Sequence, residues 1–143
     1  MIELDKVLVD QIKGLKLEYK DEQQPELLIR IPNRDKDINY DIEIITNEFT
    51  SLCPLNPAQP DYATIVIGYT PGDWCVELKS LKFFLVSFRQ VGIFHEAVPA
   101  AILKALVEFI QPVRMEVTGQ FSTRGGLATT VKATYDSVPP EMK

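Results

Sequence analysis

The hydrophobic period of this chain changes twice, and those two changes limit its fold more than any figure of composition. From Ile38 to Ile45 alternate residues are apolar, which places Ile38, Tyr40, Ile42 and Ile44 on one face, and Tyr62–Tyr69 is strongly β-forming. From Ser80 the spacing turns helical. Leu81, Phe84, Leu85 and Phe88 recur until Gly92 stops the run, with Ser80 placed to cap its start. A second helix is predicted from about Glu96 to Ile110, burying Val98, Ile102, Leu106 and Phe109, with Pro112 as its stop. The period then returns to two: Val113, Met115, Val117 and Phe121 alternate with Arg114, Glu116, Thr118 and Gln120. Leu127, Val131 and Tyr135 line a partner strand beyond a turn at Ser122-Thr123-Arg124-Gly125-Gly126.

Two hairpins with a helix pair between them predict an α+β domain of ββααββ order, a four-stranded antiparallel sheet with both helices on one face. Such a sheet leaves two free edges, so copies are expected to join edge to edge into a ring. With 143 residues, 45% of them hydrophobic, the chain can bury roughly two thirds of its unfolded surface in one core. Residues 37–143 are read as that single domain. Residues 1–36, broken at Gly14, Pro25 and Pro32, are read as a partly irregular N-terminal extension. Cys53–Asp61 holds three prolines in nine residues and is expected to be a rigid loop, neither helix nor inner strand.

Charge and residue counts narrow the function. Residues 1–48 carry 12 acids and 7 bases, whereas 49–143 carry 8 of each. The second part has no basic stripe for nucleic-acid phosphates, so direct nucleic-acid binding is not expected. No run approaches the roughly 18 apolar residues of a membrane span, and Met1–Asp5 lacks the order of a signal peptide, so the expectation is a cytoplasmic protein. Two cysteines, Cys53 and Cys75, are too few for a disulfide scaffold, and the single histidine, His95, leaves no set of zinc ligands. No metal is expected.

Four places can carry chemistry. Lys79 and Lys82 lie around the start of the first helix, where cations oppose the macrodipole; they read either as an anion site for cofactor phosphates or as solvated lysines. His95-Glu96 opens the second helix, where the carboxylate can accept two N–H bonds from a guanine-like edge, or can simply favour the helix dipole. Cys53 precedes the proline-rich segment and Asp61 ends it, an arrangement able to hold a nucleophile and an acid across one cavity, although a lone cysteine is more often an inert core thiol. Cys75, beside Trp74 and Val76, reads as packing. Arg124 belongs first to a hairpin turn and second to a phosphate contact across a subunit boundary.

Taken in order, these pieces resemble the 7-cyano-7-deazaguanine reductase family, the NADPH-dependent nitrile reductases of queuosine biosynthesis, in their short single-module form. The likeness covers roughly residues 31 to 136. It rests on Glu48-Phe49-Thr50-Ser51-Leu52-Cys53-Pro54, Gln59-Pro60-Asp61-Tyr62-Ala63-Thr64-Ile65 and Val76-Glu77-Leu78-Lys79-Ser80-Leu81-Lys82-Phe83-Phe84. Ser87-Phe88-Arg89, Phe94-His95-Glu96, Met115-Glu116-Val117-Thr118-Gly119 and Arg124-Gly125-Gly126 follow. The resemblance implies a tunnelling fold whose subunits stack as rings, with sites at subunit interfaces. By position Cys53 matches the nucleophile and Asp61 the proton donor. Val76, Glu77 and Leu78 match one substrate-contacting stretch, His95 and Glu96 the other, and Lys79, Ser80 and Lys82 the signature associated with NADPH. Asn56-Pro57-Ala58 stands where the family pattern has two residues, so the stretch from Cys53 to Asp61 is one residue longer.

The implied chemistry is coherent. The Cys53 sulfur adds to the nitrile carbon to give a covalent thioimide, Asp61 protonates the nitrogen, and two reductions by NADPH yield the primary amine. His95 or a nearby lysine would favour the thiolate. Two other outcomes fit parts of the pattern: an amidinotransferase acting on the same nitrile in transfer RNA, against which Lys79 and Lys82 speak, and a catalytically silent ring that binds a purine or pterin, against which the pairing of Cys53 with Asp61 speaks.

Overall fold

The computed structural model describes residues 5–138 and Met142. Its elements run α1 (Lys6–Lys13), β1 (Arg30–Pro32), β2 (Ile42–Cys53), β3 (Asn56–Thr70), β4 (Trp74–Val76), α2 (Leu78–Val86), α3 (Val98–Ile110), β5 (Arg114–Arg124) and β6 (Leu127–Asp136). Short 3-10 turns at Ser87–Gln90 and His95–Ala97 connect α2 to α3. The order β2-β3-β5-β6 makes a four-stranded antiparallel sheet from two hairpins, and β1 pairs with β4 in a separate two-stranded sheet. Among the described residues, no helix is long and apolar enough to cross a membrane.

One face of the large sheet carries the core. Ala63, Ile65, Ile67 and Tyr69 of β3 alternate inward and meet Leu81, Phe84, Leu85 and Phe88 from the α2 side and Val98, Ile102, Leu106 and Ile110 of α3. Each such side chain, once buried, contributes roughly 1.5–3 kcal/mol, which makes this face the main source of stability. Gln111 closes α3 in the left-handed conformation at φ 50°, and Pro112 follows it into β5.

Two departures from the sequence-based reading shape the rest of the molecule. The extension contributes to the fold: Leu28 and Ile29 are buried, and β1 places Arg30 over the Trp74 ring at 4.1 Å. Nor is the proline-rich segment a loop. β2 and β3 meet across a tight turn at Pro54-Leu55, with Cys53 paired to Asn56 and Leu52 to Pro60. Pro57 and Pro60 are tolerated because β5 begins to pair with β3 only at Ala63, so the earlier part of β3 is an edge that needs no second row of N–H donors. The register slip between Leu52 and Cys53 passes over residues 57–59 of β3.

A second irregularity in β2 decides which face the catalytic candidates occupy. Before it, Ile42, Ile44 and Thr46 lie opposite Tyr69, Ile67 and Ile65; after it, Phe49 and Ser51 lie opposite Ala63 and Asp61. The extra residue between Thr46 and Phe49 changes the core-facing set from even to odd numbers, which turns Phe49 and Ser51 inward, and a further register shift separates Leu52 from Cys53 at the hairpin tip.

Candidate active site

The helix-covered face of β3 is apolar at 63, 65, 67 and 69, and the same alternation brings Asp61 inward as its next member. Its residue is only 5% exposed, a burial that an ionisable side chain tolerates only with partners. Those come from two other segments and from its own strand. Arg124 Nη2, at the β5–β6 turn, lies 3.3 Å from Asp61 Oδ1 and donates a hydrogen bond to the Pro60 carbonyl. His95 Nε2 stands 3.4 Å from Oδ2, and Gln59 Nε2 donates to Oδ1 at 3.5 Å. His95 is itself fixed by stacking on Phe121, with ring centroids 4.1 Å apart and planes within 8°. Gly119 leaves the room: a Cβ there would lie 2.8 Å from the Phe121 ring.

The chain before His95 is pinned to the hairpin tip, because Leu52 N–H donates to Val91 O at 2.9 Å and Ile93 N–H donates to Leu52 O at 3.1 Å. Cys53, the residue after this anchor, is a half-buried thiol without a disulfide partner. The structure therefore brings Cys53, Asp61, His95 and Arg124 to one end of the sheet, with exposed Glu96 beside His95. That Arg124 belongs to this cluster was missed in the sequence. There it reads as a turn residue reaching for a phosphate, whereas its guanidinium is engaged by Asp61; Gly125 and Gly126, at φ 56° and 79°, make the turn that folds it back.

The remaining candidates gather at the opposite end. Glu77, 8% exposed, is the N-cap of α2: its carboxylate accepts from Lys79 N–H at 3.0 Å and from Ser80 N–H at 3.0 Å. The helix starts at Leu78, so Ser80 is not its cap, and its fully buried hydroxyl donates to Glu77 O and accepts from Ile29 N–H. Ser80 thus has no surface to offer a cofactor. The proposed anion site of backbone N–H groups is likewise filled by the chain's own acid. Val76 is buried with its N–H donated to Tyr69 Oη at 3.2 Å, and Leu78 is exposed. Lys79 and Lys82 hold their ammonium groups 5.5 and 6.0 Å from the Phe83 ring, and Lys79 also donates to Ile12 O. Two exposed ammonium groups around an aromatic ring fit a polyanionic cofactor, through side chains rather than through the helix N-terminus. A cleft of about 240 Å³ between α2 and β2 adjoins Lys82, lined by Ile44, Thr46, Leu78 and Leu85.

The two groups do not meet within one chain. Glu77 is tied through β4 to the Tyr69 level of β3, and Asp61 lies eight residues from Tyr69 on that strand, a span of roughly 27 Å at about 3.4 Å per residue. Among the described residues no group of three or more His, Cys, Asp or Glu is placed to hold a metal ion.

Comparison with known proteins agrees with this geometry. A family model described as QueF-like protein matches residues 60–140. The NADPH-dependent 7-cyano-7-deazaguanine reductase of Thermomicrobium roseum is 52% identical over 109 residues, covering 76% of this chain and 84% of the relative. That of Chloroherpeton thalassium is 44% identical over 114 residues, covering 80% and 97%. A crystal structure of the archaeosine synthase QueF-Like in the apo form superposes with a TM-score of 0.63 over 69% of this chain and 96% of that one; at 23% identity it speaks for the fold. On these matches, the chain belongs to the NADPH-dependent 7-cyano-7-deazaguanine reductase family.

Proposed function

We infer that this chain reduces the nitrile of 7-cyano-7-deazaguanine to the aminomethyl group with NADPH, a step of queuosine biosynthesis, and that it does so through a covalent adduct on Cys53. The observation that carries this reading is the tip cluster: a half-buried thiol beside the β2–β3 turn, at the same end of the sheet as a buried acid that is held by His95 and Arg124. In the first step the Cys53 sulfur bonds to the nitrile carbon, one C–N π bond opens, and a proton passes from Asp61 to the nitrogen. NADPH, when bound, supplies the hydride that each of the two reductions requires. His95, held flat against Phe121, keeps Asp61 pointed at the reacting nitrogen, and the sulfur is expelled only after the first hydride has been added to the thioimide carbon, leaving an imine for the second reduction.

Substrate recognition calls for a second copy. A deazaguanine is far smaller than the roughly 27 Å of strand between Asp61 and Tyr69, the level at which Glu77 is tied, so no molecule of substrate spans both groups in one chain. We assign the complete site to an interface of a tunnelling-fold ring in which Cys53, Asp61, His95 and Glu96 of one subunit face Val76, Glu77 and Leu78 of another. Glu77 suits that role because helix N–H groups already fix its carboxylate, whose remaining lone pairs are free to accept N–H groups of a guanine-like edge. Lys79 and Lys82, on the same helix, would meet the cofactor phosphates.

The test is intact-protein mass spectrometry with the nitrile and no cofactor. One adduct per chain is expected, absent in Cys53→Ala, with NADPH oxidised only once nitrile is present. An adduct without NADPH turnover would transfer the reading to the amidinotransferase.

A further inference from the structure

Ser51 is fully buried, and its Oγ is the one buried side-chain polar atom among the described residues without a hydrogen-bond partner. A buried hydroxyl left unpaired is costly, and a core alanine of nearly the same shape would avoid that cost. The residue is not needed for the turn, which lies at Pro54-Leu55, nor for the ladder, which uses only its backbone. Its place in the register is informative. Ser51 is the direct cross-strand partner of Asp61, so their Cβ atoms are about 4.5–5.5 Å apart on one face, and Cys53 follows two residues further along β2, past a register shift. Meanwhile the side-chain contacts of Asp61 with Arg124, His95 and Gln59 run from 3.3 to 3.5 Å, long enough to leave its oxygens with unused acceptor capacity.

We propose that Ser51 is a positioning residue for the proton transfer: its hydroxyl turns onto the Asp61 carboxylate as that acid gives up its proton. The inference rests on the reading of Asp61 as proton donor to a nitrile bonded by Cys53. The O–H···O bond forms only as the sulfur–carbon bond forms, one C–N π bond opens and the proton leaves Asp61 for nitrogen; Ser51 keeps its own proton throughout. A donor aimed at charge that appears during the reaction stabilises the transition state without helping substrate to bind.

Ser51→Ala separates this role from a structural one. Expected are a kcat for nitrile-dependent NADPH oxidation about tenfold below wild type, a KM for the nitrile within about twofold, and adduct formation without cofactor slowed by a similar factor. The Tm should equal or exceed that of wild type, because no bond of the resting fold is lost. Unchanged kcat would overturn the proposal, as would a lowered Tm or a failure to fold, either of which would give the hydroxyl to the fold instead. Wild-type protein that forms no adduct would bring down the underlying reading of Cys53 and Asp61, a result distinct from an active wild type matched by its alanine variant.

Discussion

Asp61 and Glu77 are both buried carboxylates on the helix-covered side of the molecule, yet they are held in opposite ways. Glu77 is satisfied by backbone N–H groups two and three residues ahead of it, a cap that any chain with an acid at that position of a starting helix can form. Asp61 is faced by side chains, with His95 and Arg124 arriving from 34 and 63 residues further along the chain. The first arrangement is local and stabilises α2. The second exists only when both hairpins and the segment at Val91–His95 are assembled, and side chains held at 3.3 and 3.4 Å without closing into tight hydrogen bonds suit the proton-donor role proposed for Asp61. Burial alone therefore does not mark an acid as catalytic; the source of its partners does.

The sharpest test of that contrast is Asp61→Asn. Its shape is kept, so the unfolding midpoint should move little, whereas nitrile-dependent NADPH oxidation should fall by about a hundredfold or more, the range that one positioned proton donor commands. Steady-state kinetics beside a thermal melt checks both. A large loss of Tm with modest loss of rate would erase the distinction between the two acids.

Glu77→Ala should show the reverse weighting. Losing the cap leaves the N–H groups of Lys79 and buried Ser80 without their acceptor, an expected cost of about 1–3 kcal/mol in urea unfolding. Because the same carboxylate is assigned to the substrate edge, KM for the nitrile should rise as well, while the adduct, once formed with excess nitrile, should still be seen by mass spectrometry.

The smallest effect concerns the anchor beneath Glu77. Burial pushes the Tyr69 phenol up to about 12, and its oxygen accepts the Val76 N–H. A folded-state value above the unfolded one near 10 means that this phenol's preference for the neutral, folded form is present in full below about pH 10 and lost as pH rises from there towards 12. Tyr69→Phe should thus be less stable than wild type by about 1 kcal/mol at pH 7, the worth of one buried hydrogen bond, and the gap should narrow above pH 10. Urea unfolding at pH 7 and pH 10.5 measures both.

Much of this was legible before any coordinates. The period-two runs around Ile42–Ile44, Ile65–Tyr69 and Met115–Phe121 became strands, and Leu81, Phe84, Phe88, Val98, Ile102 and Leu106 became the core between them, because a buried stripe writes its spacing into the sequence. The proline count misled at Cys53–Asp61. Proline forbids a strand only where its nitrogen must donate, and whether a strand is an edge is settled by what pairs beside it, which no local pattern records.

By itself the sequence determined the order of strands and helices between Ile42 and Asp136, the inward stripes of the two helices and of β5, and the residue types able to add to a nitrile and hand over a proton. Tertiary structure decided that an added residue in β2 turns Phe49 and Ser51 to the helix side, that Arg124 closes on Asp61, and that Glu77 is carried to the far end of the sheet. Register and cross-strand partnership are long-range properties: a one-residue slip exchanges the two faces of a strand while leaving its composition untouched.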